Sequence, residues 1–202
     1  MKKLFVICAA LMLVNCKKDE KKEDTPGIGS AIENMSNLGK IADKIDDVQK
    51  NMDALKSQKP VSNEELKSVI PETLGGMKRT EITIGNLAAM NLSSAEAKYA
   101  EDNKQIEINI IDGAGEAGSG IVSIFLMSLN ADMEKTTENG FEKTAEINGS
   151  KAYVTQNKSG ESTNSEIKYI VKNRYVIDVI GDGFTVDELG QAIKGLDVSK
   201  LP

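Results

Sequence analysis

Cys16 is the side chain whose type and position most clearly indicate chemistry in this sequence. A thiolate is a nucleophile that can be modified covalently, and Cys16 closes the short apolar run 4–14, which follows Lys2 and Lys3. The run is shorter than the ~20 residues that a membrane-spanning helix needs. Basic residues followed by such a run have the layout of a secretory signal peptide. We therefore interpret residues 1–15 as a signal peptide.

The residues around Cys16 resemble the export signals of bacterial lipoproteins. Leu13-Val14-Asn15-Cys16 is similar to a lipobox, in which a signal peptidase cuts before the cysteine and the thiol carries lipid. Lys18, Asp19 and Glu20, a base followed by two acids, resemble the surface-export signal of Bacteroidota-type lipoproteins. The resemblance implies a covalent diacylglycerol and fatty acid (palmitate) on Cys16, a membrane anchor through that lipid, and an outer-membrane location at the cell surface.

The composition excludes several classes of chemistry. The 202 residues contain no histidine, so His-based triads, His metal ligands and the commonest general base are absent. Of the two cysteines, Cys8 is removed with the signal peptide and Cys16 is acylated, which leaves no disulfide and no Cys zinc site. The net charge of −6 disfavours nucleic acid as a partner. We predict no catalytic residue, no metal and no cofactor besides the lipid, and hence no enzyme.

Two motifs match known patterns but fit a structural role better. Gly113 to Gly118 follows the G-x-G-x-x-G pattern that binds phosphate at a helix N-terminus. Glu116 inside it would repel a pyrophosphate, so we interpret the segment as a turn. Ser165 and Lys168 match the S-x-x-K pattern of acylases. Their spacing of three within a predicted strand places the two side chains on opposite faces.

One pair of acids gives an alternative function. Glu138 and Glu142 lie four residues apart near the start of a predicted strand. They would be the acids of a carboxylate-dependent hydrolase or soluble-ligand carrier, or simply an exposed acidic edge. A further alternative is an accessory subunit of an envelope complex.

A charged tether and a long helix lead into the main domain. Residues 16–29 are charged and then rich in Gly and Pro, which predicts a flexible tether. Residues 30–58 predict an amphipathic helix whose apolar positions recur at spacings of three and four, a heptad-like seam formed by Leu38, Ile41, Ile45, Val48, Met52 and Leu55. A narrow seam on a polar helix needs a partner. That partner is its own domain, a second copy or another protein.

Residues 61–202 predict one α+β domain. Period-two patterns indicate seven strands, and Ser62/Glu65 and Thr185/Glu188 are capping boxes that begin short helices. Helical spacing of apolar residues predicts a further helix over 119–132. We expect an antiparallel sheet of about six or seven strands with helices packed on one face. The predicted strands are 78–84, 95–100, 105–111, 141–147, 150–156, 165–171 and 174–180.

The order of elements resembles PsbP- and Mog1-like α+β domains. The segment from Ile70-Pro71 through Gly75-Gly76 to Arg79 is also similar to the opening of bacterial lipoprotein domains. Neither resemblance brings a catalytic motif. We therefore expect a membrane-anchored, surface-exposed lipoprotein with a non-catalytic binding or interaction domain.

Replacing Cys16 with Ser should abolish lipidation, because the hydroxyl does not replace the thiol as the acceptor of the lipid. The Cys16→Ser protein should persist as the precursor or be released from the membrane. Membrane fractionation checks this outcome, and unchanged retention in the membrane fraction would contradict the assignment.

Overall fold

The computed structural model describes residues 43–87 and 92–202. Cys16, the Lys18-Asp19-Glu20 segment, Leu38 and Ile41 therefore lie outside the described residues, as do residues 30–42 of the predicted helix 30–58. Helix α1 is described from residue 43 and ends at residue 56. Within the described ranges, no helix is both long enough and apolar enough to cross a bilayer.

Three further helices and nine strands follow α1 in the described part of the chain. The helices are α2 (Asn63–Val69), α3 (Gly115–Leu129) and α4 (Val186–Ala192). Two short 3-10 turns, Ile193–Gly195 and Val198–Lys200, lead to the C-terminus. The strands are β1 (Thr73–Leu74), β2 (Met77–Leu87), β3 (Leu92–Glu101), β4 (Lys104–Asp112), β5 (Glu134–Thr137), β6 (Gly140–Ile147), β7 (Ser150–Ser159), β8 (Ser162–Val171) and β9 (Tyr175–Asp182).

The strands of the described residues form one antiparallel sheet in the order β1-β2-β3-β4-β9-β8-β7-β6-β5. Two meanders meet in its centre, where the last strand of the first, β4, pairs with the last strand of the second, β9. Helix α3 connects β4 at the centre to β5 at the far edge. The central pair thus joins segments that lie far apart in the sequence.

The expected sheet of six or seven strands is wrong, because the described residues form nine. All seven predicted strands are present and mostly longer than expected. The two missed strands, β1 and β5, are only two and four residues long and lie at the edges. Every residue of β5 is exposed, so its sequence carries no period-two apolar pattern to reveal it.

Helices cover both faces of the sheet, and this corrects the expected placement on one face. Successive residues of a strand point to opposite faces. Tyr175 and Ile177 of β9 face the larger core, which α2 and α4 cover, whereas Val176 between them faces a smaller cluster with Val122 of α3. Helix α3 therefore packs on the face opposite α2 and α4.

The capping boxes of α2 and α4 both form, as predicted. Ser62 N–H donates to Glu65 Oε2 over 2.8 Å, and Glu65 N–H donates back to Ser62 Oγ over 3.2 Å. Thr185 and Glu188 make the same exchange over 2.8 and 3.3 Å. Each box satisfies backbone donors that a helix N-terminus leaves without intrahelical partners.

In the described part of the heptad-like seam, some side chains pack against the domain and others are exposed to solvent. Leu55 is 2% exposed and packs with Val122 and Val176, and Val48 is also buried. Met52 is half-buried, whereas Ile45 is 54% exposed. The C-terminal half of α1 therefore packs on its own domain. A partner for the N-terminal half of the seam stays a prediction.

Leu55→Ala and Ile45→Ala form a matched pair of tests on α1. Leu55→Ala should lower the free energy of unfolding by about 2–4 kcal/mol, because it leaves a cavity in a packed cluster. Ile45→Ala should change it by no more than about 0.5 kcal/mol. Denaturant unfolding of the two variants measures both values. Equal losses would contradict this division of the helix.

Candidate functional site

The carboxylate of Asp112 is the most completely bonded charge in the described residues. Its side chain is fully buried and accepts hydrogen bonds from Val61 N–H (2.8 Å) and Ala114 N–H (3.0 Å). Arg174 donates to it twice, from Nε over 2.6 Å and from Nη2 over 2.9 Å. Asp112 in turn raises the pKa of Arg174. The Asp112–Arg174 pair is structural, because both oxygens of the carboxylate already accept hydrogen bonds from within the protein.

The glycine-rich segment surrounds this same carboxylate, and its interpretation as a turn is wrong beyond residue 114, because α3 already begins at Gly115. Ala114, at the N-terminus of α3, donates its N–H to Asp112, so the protein supplies its own anion where the motif would bind phosphate. A Cβ on Gly113 would lie 2.5 Å from Arg174 O, and a Cβ on Gly118 would lie 2.5 Å from Asp112 O. These two glycines are required by close backbone packing.

The Ser165 and Lys168 side chains of the S-x-x-K match lie on opposite faces of β8. Ser165 is buried in the larger core and donates to Phe184 O over 2.8 Å. Lys168 lies on the face covered by α3, where it contacts Glu166 and Asp178. The two side chains cannot form an acylating pair in this arrangement.

The two acids of the hydrolase alternative differ in their surroundings. Glu142 accepts hydrogen bonds from Tyr153 Oη and Lys135 Nζ, each over 2.7 Å. The hydrogen bond from Lys135, followed by that from Tyr153, lowers the pKa of Glu142. Glu138 is exposed in the turn between β5 and β6. Glu142 is thus held as an ionised carboxylate and is poorly suited to act as a general acid.

A polar surface hollow lies beside the Asp112 cluster. It has a volume of about 890 Å³ and lies at the connection between α1 and α2. Its charged centre, Arg174, already donates to Gln58 Oε1 over 2.8 Å and to Lys59 O over 3.0 Å, besides Asp112. The guanidinium at the centre of the hollow is therefore already occupied by protein acceptors.

A smaller, mostly apolar cleft lies between α3 and the central strands. Its volume is about 410 Å³, within the ~300–1,000 Å³ typical of small-molecule sites. Ile124 at its rim is 70% exposed. The cleft is lined by Ile121, Ile124, Phe125 and Ser128 of α3, Asn109 and Ile111 of β4, Lys168 of β8, and Val176 and Asp178 of β9.

Asp178 provides a carboxylate at the floor of this cleft. Its Oδ2 lies 2.8 Å from Lys168 Nζ, which also donates to Glu166 Oε1 over 2.8 Å. Its Oδ1 is buried and accepts no hydrogen bond from any described residue. The cross-strand neighbour Asn109 donates to Glu107 instead, over 3.1 Å. A buried acceptor without a donor is unusual enough in a folded protein to call for an explanation.

The surroundings of Asp178 and Lys168 shift the pKa values of both side chains. Burial raises the pKa of Asp178 to about 6, against the opposing effect of Lys168, and the neighbouring Glu166 adds to the rise. Burial alone would lower the pKa of Lys168, but hydrogen bonds to Asp178 and Glu166 outweigh it and the pKa lies above its ordinary value. Lys168 therefore stays protonated, while the carboxyl of Asp178 titrates close to neutral pH.

Sequence reasoning did not identify this site. Asp178 interrupts the apolar stretch Val176–Val179 of a central strand, and such an interruption is the signal that could have indicated it. The convergence of Asp178, Lys168 and α3 depends on which strands are neighbours, which the sequence pattern does not reveal. Among the described residues, no group of three or more Asp, Glu or Cys side chains could hold a metal ion.

Comparisons with known proteins give limited similarity. No known protein family matches the chain. It is 30% identical over 126 residues to a ferritin-like-encapsulin shell fusion protein of Pyrococcus furiosus, which covers 61% of this chain and 33% of that protein. The chain thus spans about a third of the length of this curated relative.

A solved structure, the extracellular domain of PknH from Mycobacterium tuberculosis, matches 70% of this chain and 97% of its own. The sequence identity is 12% and the TM-score is 0.37. At that TM-score, the similarity carries no argument about the fold or the activity of this chain.

Asp178→Asn should change how stability depends on pH. Because burial raises the pKa of Asp178 from 3.8 to about 6, the folded protein binds this proton more tightly than the unfolded chain does. The group's contribution to stability is full below about pH 4 and is lost as the pH rises through about 6. The stability of the parent relative to Asp178→Asn should therefore fall by ~1–2 kcal/mol between about pH 4 and 7, after allowance for partial exposure.

Denaturant unfolding at a series of pH values measures this difference. Asp182→Asn, on the same face of β9 but outside the cleft, is the matched control and should not reproduce the trend. A difference between the parent and Asp178→Asn that stays constant with pH would contradict the assignment.

Proposed function

We propose that the protein is an exported lipoprotein, anchored through lipid on Cys16, whose domain binds an apolar ligand in the α3 cleft without catalysing a reaction. The anchor and the surface location rest on the signal peptide, the lipobox-like segment and Lys18-Asp19-Glu20. The binding function rests on one observation, the open apolar cleft with a partly unbonded carboxylate at its floor.

The apolar walls favour a ligand over an empty cleft. Phe125 and Ile121 pack partly against the smaller cluster, and Ile124 beside them is mostly exposed at the rim. Removing this apolar surface from water is favourable. Ligand sites typically combine such walls with a few polar groups that fix the orientation of the ligand. Asp178 and Lys168 provide such groups here.

The charge states support binding rather than catalysis. The pKa of Lys168 lies above its ordinary value because of its hydrogen bonds to Asp178 and Glu166, so its amine is held protonated and is a poor nucleophile. The pKa of Glu142 is lowered by Lys135 and Tyr153. The ferritin-like and shell functions named for the Pyrococcus protein are not part of the proposal, because the chain spans about a third of that protein.

Ile124→Gln should weaken the binding of an apolar probe, because it removes hydrocarbon from the rim of the cleft. The probe is a neutral naphthylamine dye whose fluorescence rises in apolar surroundings, titrated into the full-length chain carrying Cys16→Ser. We expect about a fivefold increase in the Kd of the dye.

Met127→Gln is the matched control for this titration. Met127 is 49% exposed on the same helix but does not line the cleft, so this variant should bind the dye like the parent. Absence of dye binding to the parent, or equal effects of the two substitutions, would overturn the proposed ligand site.

A further inference from the structure

The partly unbonded carboxylate restricts what the cleft can accept. An ionised carboxylate only accepts hydrogen bonds, and Asp178 Oδ1 receives none within the described part of the chain. A ligand head group that lies beside this carboxylate is therefore favoured if it carries hydrogen-bond donors or a positive charge. The ammonium of Lys168 also lines the cleft but is already shared between Asp178 and Glu166, so an anionic head group would have to compete with these two carboxylates for it.

The charges beside the cleft favour a cation over a neutral donor. From β8, Lys168 is shared between Asp178 and Glu166. Farther along the sheet, on β2 to β4, Lys98 lies within 3.9 Å of three carboxylates, those of Glu81, Glu96 and Glu107. Among the residues described here, α3 contributes no charged side chain to the cleft lining. This face of the sheet therefore has an excess of negative charge next to an apolar cleft.

We propose that the ligand is a small cationic amphiphile, with its hydrocarbon chain between α3 and the sheet and its ammonium or similar head beside the Asp178 carboxylate. The inference rests on the proposed ligand site and names the class of molecule that fits it. The apolar walls of the cleft bind the hydrocarbon chain of the ligand, and the Asp178 carboxylate attracts its cationic head group. Charge-assisted hydrogen bonds of this kind are stronger than neutral ones, which provides discrimination against uncharged analogues.

Three probes with the same chain length test the head group. Decylamine, decanol and decanoate, each below its critical micelle concentration, compete with the naphthylamine dye for the full-length chain carrying Cys16→Ser. At about pH 7.5, decylamine should displace the dye at about a tenfold lower concentration than decanol, and decanoate should be the weakest. At about pH 5 the advantage of decylamine should be lost, because the pKa of Asp178 is about 6 and its carboxyl is then protonated.

Two substitutions on the same strand distinguish the site from general attraction to an acidic surface. Asp178→Asn should remove the advantage of decylamine while decanol still displaces the dye. Asp182→Asn, on the same face but outside the cleft, should keep it. The inference is overturned if decanol matches decylamine in the parent, if no probe displaces the dye, or if Asp178→Asn keeps the advantage.

Dye binding that remains sensitive to Ile124→Gln, without any preference for decylamine, would reject the cationic ligand and leave the proposed ligand site intact. Dye binding that is absent or insensitive to Ile124→Gln would reject both.

Discussion

The burial of one carboxylate, Asp112, is the constraint on which the described structure depends most. A buried charge must be paired and hydrogen-bonded, and removing a partner from such a pair costs about 3–5 kcal/mol. Here the partners come from the segment before α2, from the start of α3 and from Arg174 beside the β8–β9 turn. The direction in which α3 leaves the sheet is therefore fixed at Ala114. Helix α3, which forms one wall of the cleft, is thus positioned by the Asp112–Arg174 ion pair, which does not line the cleft.

The central strand β9 contributes side chains to the larger core on one face and to the cleft on the other. Ile177 and Val179 are fully buried on one face, whereas Asp178 between them lies at the floor of the cleft on the other. Burial disfavours the ionised form of a carboxyl at this position, as the raised pKa of Asp178 indicates. Departures of this kind from a consistent local pattern are expected where a protein binds or reacts.

The helix-capping signals were read correctly from the sequence, whereas residues 115–118, interpreted as a turn, form the first turn of α3. The non-local strand pairings were not predicted. The capping boxes at Ser62 and Thr185 depend on residues three apart, so the sequence is sufficient to predict them. The short edge strand β5 forms only because β6 lies beside it, since its own residues are all exposed. Likewise, the pairing of β4 with β9, and with it the placement of Asp178 near α3, arises from contacts distant in sequence. These features have no signature within any short window of residues.

The strand order also has a consequence for how the chain folds. Within each meander of the described residues, paired strands are neighbours in sequence and can form as hairpins. The central pair instead closes over a long segment, with Asp112 opposite Tyr175. Loop-closure entropy makes such a pairing slow compared with hairpin formation. Until β9 docks, β4 presents an open, apolar strand edge that can pair with another chain. The polypeptide is therefore most vulnerable to aggregation after its first meander has formed and before its last strand pairs.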